Sequence, residues 1–208
     1  MEKILEKYKK DFEFYSVEQL QNLRKWLVEY MVPLDEKKLN EQIVWLNLTG
    51  EQLFQFLMKN YVDNNKQVMW HVNYLPTALG MRYISFLHAT GFNYLIGVIT
   101  NNVGKQTIVA SLCYQNDKIC SISQEKTVNY IQNIEVNSFY QGAGLFKILA
   151  SKIKDVMDFN KDFVITDEED DGIEFHTIER ITKILREQGY NGGVFSRSEF
   201  KEKCRKNK

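Results

Sequence analysis

Two glycines spaced G-x-G, Gly142 and Gly144, separate the apolar run Ile134-Glu135-Val136 from an amphipathic stretch that begins at Leu145. Glycine has no Cβ, so the backbone at such a turn takes positive φ readily and lets a ligand approach its amides. The amides of Gly142, Ala143, Gly144 and Leu145 open a helix. N–H groups in a first helical turn have no intrahelical acceptor and carry partial positive charge. A turn of this composition, with Gln141 leading into it, is a cradle for a phosphate or pyrophosphate.

The flanking elements must hold that turn in place. Leu145, Ile148, Leu149, Ile153 and Val156 follow helical spacing and predict a helix from 145 to about 159. Upstream, residues 93–100 (NYLIGVIT) and 106–114 (QTIVASLCY) are β-branched runs joined by a short polar link, which predicts a hairpin. A third strand over 127–136 runs into the glycine turn, and 163–166 (FVIT) is a strand best placed parallel to it through a right-handed crossover. Asp171 and Glu174 form a candidate capping box for a helix over 173–188, carrying Ile178, Ile181, Ile184 and Leu185 and stopped by Gly189. A short last strand follows at about 193–196. Regular alternation along the third strand puts Tyr130, Gln132, Ile134 and Val136 on one face and Glu135 on the other.

The glycine turn has two further readings. A dinucleotide-binding turn would use Asp162, about 20 residues downstream, for a ribose, but a third glycine is missing and hairpin-linked strands do not open such a domain. A turn that only lets helix and strand pack closely is the plain structural alternative.

The segment I-E-V-N-S-F-Y-Q-G-A-G-L resembles the acetyl-CoA motif of the GNAT superfamily of N-acetyltransferases, roughly L-x-V-x-P-x-x-R/Q-G-x-G-L between a strand and a helix. Ser138 stands at the proline and Phe146 where a small residue is common. The order of elements is also that of the family, and the resemblance covers about residues 66–200. It implies an α/β (α+β) fold, a mixed, mostly antiparallel twisted sheet flanked by helices. It implies acetyl-CoA as cosubstrate, contacted by Ile134, Val136, Gln141, Gly142, Ala143, Gly144 and Leu145, and acetyl transfer to a primary amine of a small molecule or protein by direct attack. The Val136 N–H would be the oxyanion donor, a role that needs no particular side chain.

The attacking amine must lose a proton, since an amine of pKa near 10.4 is mostly protonated at neutral pH. Glu135, Tyr130 and His176 are the candidates for this acid–base work. The tyrosine that the family often uses as general acid falls at Leu185, and its cofactor-side asparagine at Ile178. Their absence keeps a second reading open, a weakly active or inactive GNAT-fold binding module that meets partners through its N-terminal helices.

Composition excludes other classes. Lys+Arg and Asp+Glu are equal at 27 each over 208 residues, so no global field draws the chain to nucleic acid or an anionic membrane. Cys113, Cys120 and Cys204 lack C-x-x-C spacing, and His71 and His88 lack ligand spacing, so neither a disulfide frame nor a metal site is expected. No run reaches the 18 or so apolar residues of a membrane span, and the first 14 residues are too charged for a signal peptide, which points to the cytoplasm.

The first 65 residues read as a helical extension, with helices at 16–31, 35–46 and 50–61 and capping boxes at Ser16/Gln19 and Thr49/Gln52. It would pack on the sheet, cover substrate or form a homodimer surface; Trp26, Trp45 and, beyond it, Trp70 read as core anchors. The polar break 63–66 is the boundary, residues 66–200 form the acetyl-CoA-binding domain, and 201–208 is a basic tail. The acidic run 167–171 would attract a cationic acceptor.

Overall fold

The computed structural model describes residues 37–61, 91–100, 106–120, 123–137, 140–166 and 175–206, with positions 32, 34, 35 and 104. The helix expected at 16–31, Trp26, Trp70, His71, His88, the break at 63–66, the acidic run 167–171 and the Asp171/Glu174 box lie outside them.

Six strands form one sheet in sequence order: β1 (Val44–Thr49), β2 (Asn93–Thr100), β3 (Gln106–Cys120), β4 (Ser123–Val136), β5 (Phe163–Ile165) and β6 (Val194–Ser196). The first four pair antiparallel, and β4–β5 and β5–β6 pair parallel. The mixed, mostly antiparallel sheet, the hairpin, the crossover and the flanking helices are as the sequence leads one to expect.

One expectation is overturned near the start. The helix over 35–46 is replaced by a single turn, α1 (Leu39–Gln42), followed by β1. Ile43, Val44, Trp45 and Leu46 are β-branched or bulky and fit a pleated surface better than a helix. Trp45 also needs the partner that the sheet gives it: it faces Gly97 of β2, where an added Cβ would stand 2.9 Å from the indole ring. Glycine at 97 makes room for that ring. The Thr49/Gln52 box does form, with Thr49 N–H donating to Gln52 Oε1 at 2.9 Å and Gln52 N–H to Thr49 Oγ1 at 3.3 Å, and it starts α2 (Gly50–Tyr61).

Two cores sandwich the sheet. Leu53 and Leu57 of α2 pack on Tyr94, Ile96, Val98, Ile108 and Cys113 of one face. Each such leucine contributes roughly 1.5–3 kcal/mol by leaving water. The other face buries Leu112, Tyr114, Ile131 and Ile134 under α3 (Leu145–Ser151), α4 (Ile153–Val156) and α5 (Phe175–Glu187). The helix expected over 145–159 is shorter, broken at Lys152 and ended at Met157, whose extended backbone stops it. Helix α5 ends where Gly189 takes φ +87° and the N–H of Tyr190 returns to the Leu185 carbonyl at 3.0 Å, a glycine-terminated cap. The last helix, α6 (Arg197–Lys206), starts on Ser196 and Glu199, which exchange hydrogen bonds as a capping box.

Candidate active site

The geometry of the site begins with one extra residue in β4. Tyr114 of β3 is opposite Ile131, but Cys113 is opposite Asn133, so Gln132 is a bulge. The bulge inverts the alternation beyond it. Ile131 and Ile134 lie together on the α3 side, while Tyr130, Asn133 and Glu135 share the opposite face with Cys113 and Ser111. The expectation that Glu135 and Tyr130 lie on opposite faces is therefore corrected, because an inserted residue shifts strand parity by one.

The same bulge changes which way the β4 backbone groups point. Among the described residues, β5 pairs with β4 from Asn129 to Ile131, followed by the Thr166 N–H donating to the Ile131 carbonyl at 3.0 Å. In a regular parallel ladder the next donor would be the Asn133 N–H, but the bulge pairs that residue with Cys113 of β3 instead. Further along, the Asn137 N–H donates to the Val109 carbonyl at 2.9 Å, which makes Ala110 and Val136 a pair without mutual hydrogen bonds. The backbone groups of Val136 and, two residues back, Ile134 thus point away from β3, to the side of β4 on which β5 lies. These are two of the residues expected to contact the cosubstrate.

At the end of β4 the chain is bolted down before it turns. The Asn137 side chain, buried, donates to the Ile108 carbonyl at 3.0 Å, and the backbone carbonyl of Asn137 accepts from the Tyr140 N–H at 2.8 Å. Burial holds the Tyr140 hydroxyl far above the ordinary phenol range. Then Gly142 takes φ +88° and Gly144 φ +80°, and Gly144 caps α3 in the left-handed region. A Cβ at either position would meet no protein atom within 4 Å. The missing side chains therefore keep the space outside the turn clear, which is what an approaching anion needs. Gln141 is exposed, Ala143 half-buried, and Leu145 is buried as the anchor of α3. The first intrahelical bond is Lys147 N–H to the Gly144 carbonyl at 3.1 Å, which leaves the amides of Leu145 and Phe146 without an acceptor in the helix. Phe146 does not crowd the turn: it packs on the core with the Arg180 guanidinium 4.2 Å from its ring centre.

The acid–base candidates are placed unevenly. Tyr130 is buried in a cluster with Val128, Val164 and Phe200, with Lys118 Nζ 3.4 Å from its ring centre. That is the position of a packing ring. Glu135 is half-buried and lies on the same face as Asn133. His176 lies in the first turn of α5 by its backbone, and its side chain is outside the described atoms. Cys113 is buried under α2, and burial pushes its thiol up to about 12. It remains a thiol at neutral pH and offers no thiolate for a covalent acyl intermediate. Among the described residues no His/Cys/Asp/Glu group is arranged to hold a metal, and no helix is long and apolar enough to cross a membrane.

Asn137 and the Gln132 bulge escape a reading of sequence alone. Asn137 carries a signal, a polar side chain at the end of an apolar strand, whereas the bulge has none.

No protein-family model and no curated protein matches the chain. Among solved structures it is similar to an aminoglycoside acetyltransferase from an uncultured soil metagenomic sample, solved with sisomicin, at 15% identity over 76% of this chain and 79% of that one, with a TM-score of 0.33. A ribosomal-protein-alanine N-acetyltransferase from Brucella melitensis biovar Abortus 2308 matches at 13% identity over 80% and 88%, TM-score 0.31. An integron cassette protein from the mobile metagenome of V. cholerae matches at 11% over 72% and 86%, TM-score 0.37. At this distance the likeness concerns the fold, and the chemistry rests on the residues of this chain.

Proposed function

We propose that this protein is an acetyl-CoA-dependent N-acetyltransferase that moves an acetyl group to a primary amine by direct attack. The observation that carries the proposal is the sequence of backbone groups along one path. The backbone of Ile134 and Val136 faces away from β3, on the β5 side of β4, and the amides of the Gly142–Leu145 turn lie a few residues on. An extended thiol-ended chain with a pyrophosphate at its far end has matching groups in that order. The amides of Gly142, Ala143, Gly144 and Leu145 would hold the pyrophosphate, and Ile134 and Val136 the pantetheine arm.

The amine nitrogen attacks the thioester carbonyl carbon, a C–N bond forms, the C–S bond breaks, and the departing thiolate takes a proton. The Val136 N–H is the proposed donor to the carbonyl oxygen as charge develops there, and such fixed dipoles commonly supply the largest share of catalysis. Glu135 is the proposed acceptor of the proton from the ammonium group, directly or through water, with His176 as the second candidate. The high position of the Cys113 thiol favours direct attack over a covalent acyl-cysteine route.

Release of free thiol from acetyl-CoA, followed with spermidine, kanamycin and Nα-acetyl-lysine amide as probe amines, tests the proposal. Amine-dependent release that is lost in Gly142→Asp is expected. Acetyl-CoA binding without release for any amine would favour the second reading, a binding module that keeps the cradle while lacking the usual tyrosine at Leu185.

A further inference from the structure

A cavity of about 480 Å³ is bounded by α1, β1, α3, α4 and the residue that follows α5. That volume is in the range of small-molecule sites. None of the residues from Ile134 to Leu145 lines it, so it is separate from the path given to acetyl-CoA. Trp45 and Ile148 supply apolar wall, and the indole is held in place by its fit against Gly97. Lys147, Lys152 and Lys154 bring three ammonium groups from one side. Lys152 shares its charge with Asp155 at 3.7 Å, while Lys147 and Lys154 form no ion pair among the described residues.

The same wall holds two polar atoms without a partner, Trp45 Nε1 and Gln188 Oε1. Native folds leave few such groups. Gln188 is half-buried, and its amide is tied to the Ala150 carbonyl at 3.4 Å, longer than an ordinary N–H···O bond. A small turn of that weakly held amide presents Oε1 to the cavity as an acceptor. An apolar side chain at 188 would end the helix without an orphan oxygen, so packing gives no reason for glutamine here.

We infer that this cavity binds a small phosphorylated, hydroxyl-bearing molecule of the sugar-phosphate class. A phosphate monoester carries a charge of about −1.5 to −2 at pH 7 and three acceptor oxygens. Two unpaired ammonium groups match such a dianion better than a monocarboxylate, and lysine is a common phosphate ligand. The hydroxyl-bearing remainder lies along Trp45 and Ile148 and donates one hydroxyl to Gln188 Oε1. The inference goes beyond the transferase reading and does not need it. The occupant is a second ligand, seated on the side of the helix whose first turn follows the two glycines.

Titration calorimetry of wild type and Gly142→Asp with ribose 5-phosphate, inorganic phosphate and gluconate tests the inference, with a melting curve for each variant to show that it is folded. Saturable binding of ribose 5-phosphate is expected, equal in the two proteins because the substitution alters only the glycine turn. Lys147→Gln combined with Lys154→Gln should weaken it about ten- to hundredfold, the effect of lost hydrogen bonds to a charged group. Both side chains are exposed, so the double variant should melt near the wild-type temperature. Gln188→Met should lower ribose 5-phosphate to the affinity of inorganic phosphate and leave phosphate itself unchanged. Binding abolished by Gly142→Asp would place the phosphate at the glycine turn and overturn the inference. So would no binding of ribose 5-phosphate to wild type, or unchanged affinity in the double lysine variant. Gluconate or inorganic phosphate bound as tightly as ribose 5-phosphate would overturn the assigned ligand class.

Discussion

The side-chain amide of Asn137 donates to the carbonyl of Ile108 at 3.0 Å while its backbone N–H donates to the neighbouring Val109 carbonyl at 2.9 Å. Ile108 and Val109 lie at the β3 irregularity, where Val109 is the extra residue between Ile108, opposite Val98, and Ala110, opposite Gly97. One asparagine thus ties the bulged part of β3 to the end of β4, immediately before the glycine turn. Asn137→Ala should cost about 1–3 kcal/mol, the range for disrupting a buried hydrogen bond. Urea denaturation measures the loss, and acetyl-CoA affinity should fall with it. Wild-type stability in the variant would show that the tie is redundant.

Gly144 and Gly189 have nearly the same backbone, φ +80° and +87°, and open space where a Cβ would go. Alanine at either site should therefore cost a similar amount, about 1 kcal/mol of left-handed strain. Only Gly144→Ala should also weaken acetyl-CoA binding in a titration. Equal affinity in the two variants would contradict the role given to the turn.

Tyr190 closes the far side of the sheet. Its hydroxyl lies 2.8 Å from the Gly193 carbonyl and 3.0 Å from that of Lys161, and its ring packs edge-on against Phe163 with centres 4.9 Å apart. Tyr190→Phe should keep the ring contacts and lose about 1 kcal/mol for the hydrogen bond. A drop in melting temperature with acetyl-CoA binding unchanged is the expected result.

Stability should fall in alkali. Burial raises the Cys113 thiol from 9.0 to about 12 and the Tyr190 hydroxyl from 10.0 to about 12, and Tyr114 and Tyr140 are raised in the same direction. Groups raised on folding hold their protons longer in the folded state. Their stabilisation is complete below the unfolded pKa and is lost as pH rises through the folded one. Lys118, lowered by burial and by Arg197, acts in the opposite sense below 10.5. The raised groups outnumber it, so urea midpoints should fall from about pH 9 upward, with Cys113 titrating first in the unfolded chain. Each group contributes a slope on the order of 1 kcal/mol per pH unit. Cys113→Ala should flatten the onset, and a midpoint constant from pH 8 to 11 would contradict the burial account.

The legible parts of this fold were those carried by local chemistry. The β-branched runs of β2 and β3, the glycine stop at 189 and the Thr49/Gln52 box each specify their structure within a few residues. Strand β1 was not legible as such, because the residues just before it, 36–42 (EKKLNEQ), are rich in helix formers and its Trp45 depends on a glycine some 50 positions away, at 97. The bulge at Gln132 is less visible still, since it arises from the pairing of two strands and leaves no mark in either alone. For that reason the glycine turn could be placed from sequence, while the face on which Glu135 lies could not.

The central claim is that the Gly142–Gly144 turn holds the pyrophosphate of acetyl-CoA. Thermal unfolding with and without acetyl-CoA, in wild type and Gly142→Asp, tests it most directly. At about 100 times its Kd a ligand stabilises by about 2.7 kcal/mol, which a melting curve resolves. The account predicts a clear upward shift in wild type and none in the folded variant, where a carboxylate occupies the anion's place. An equal shift in both, or no shift in either, would contradict it.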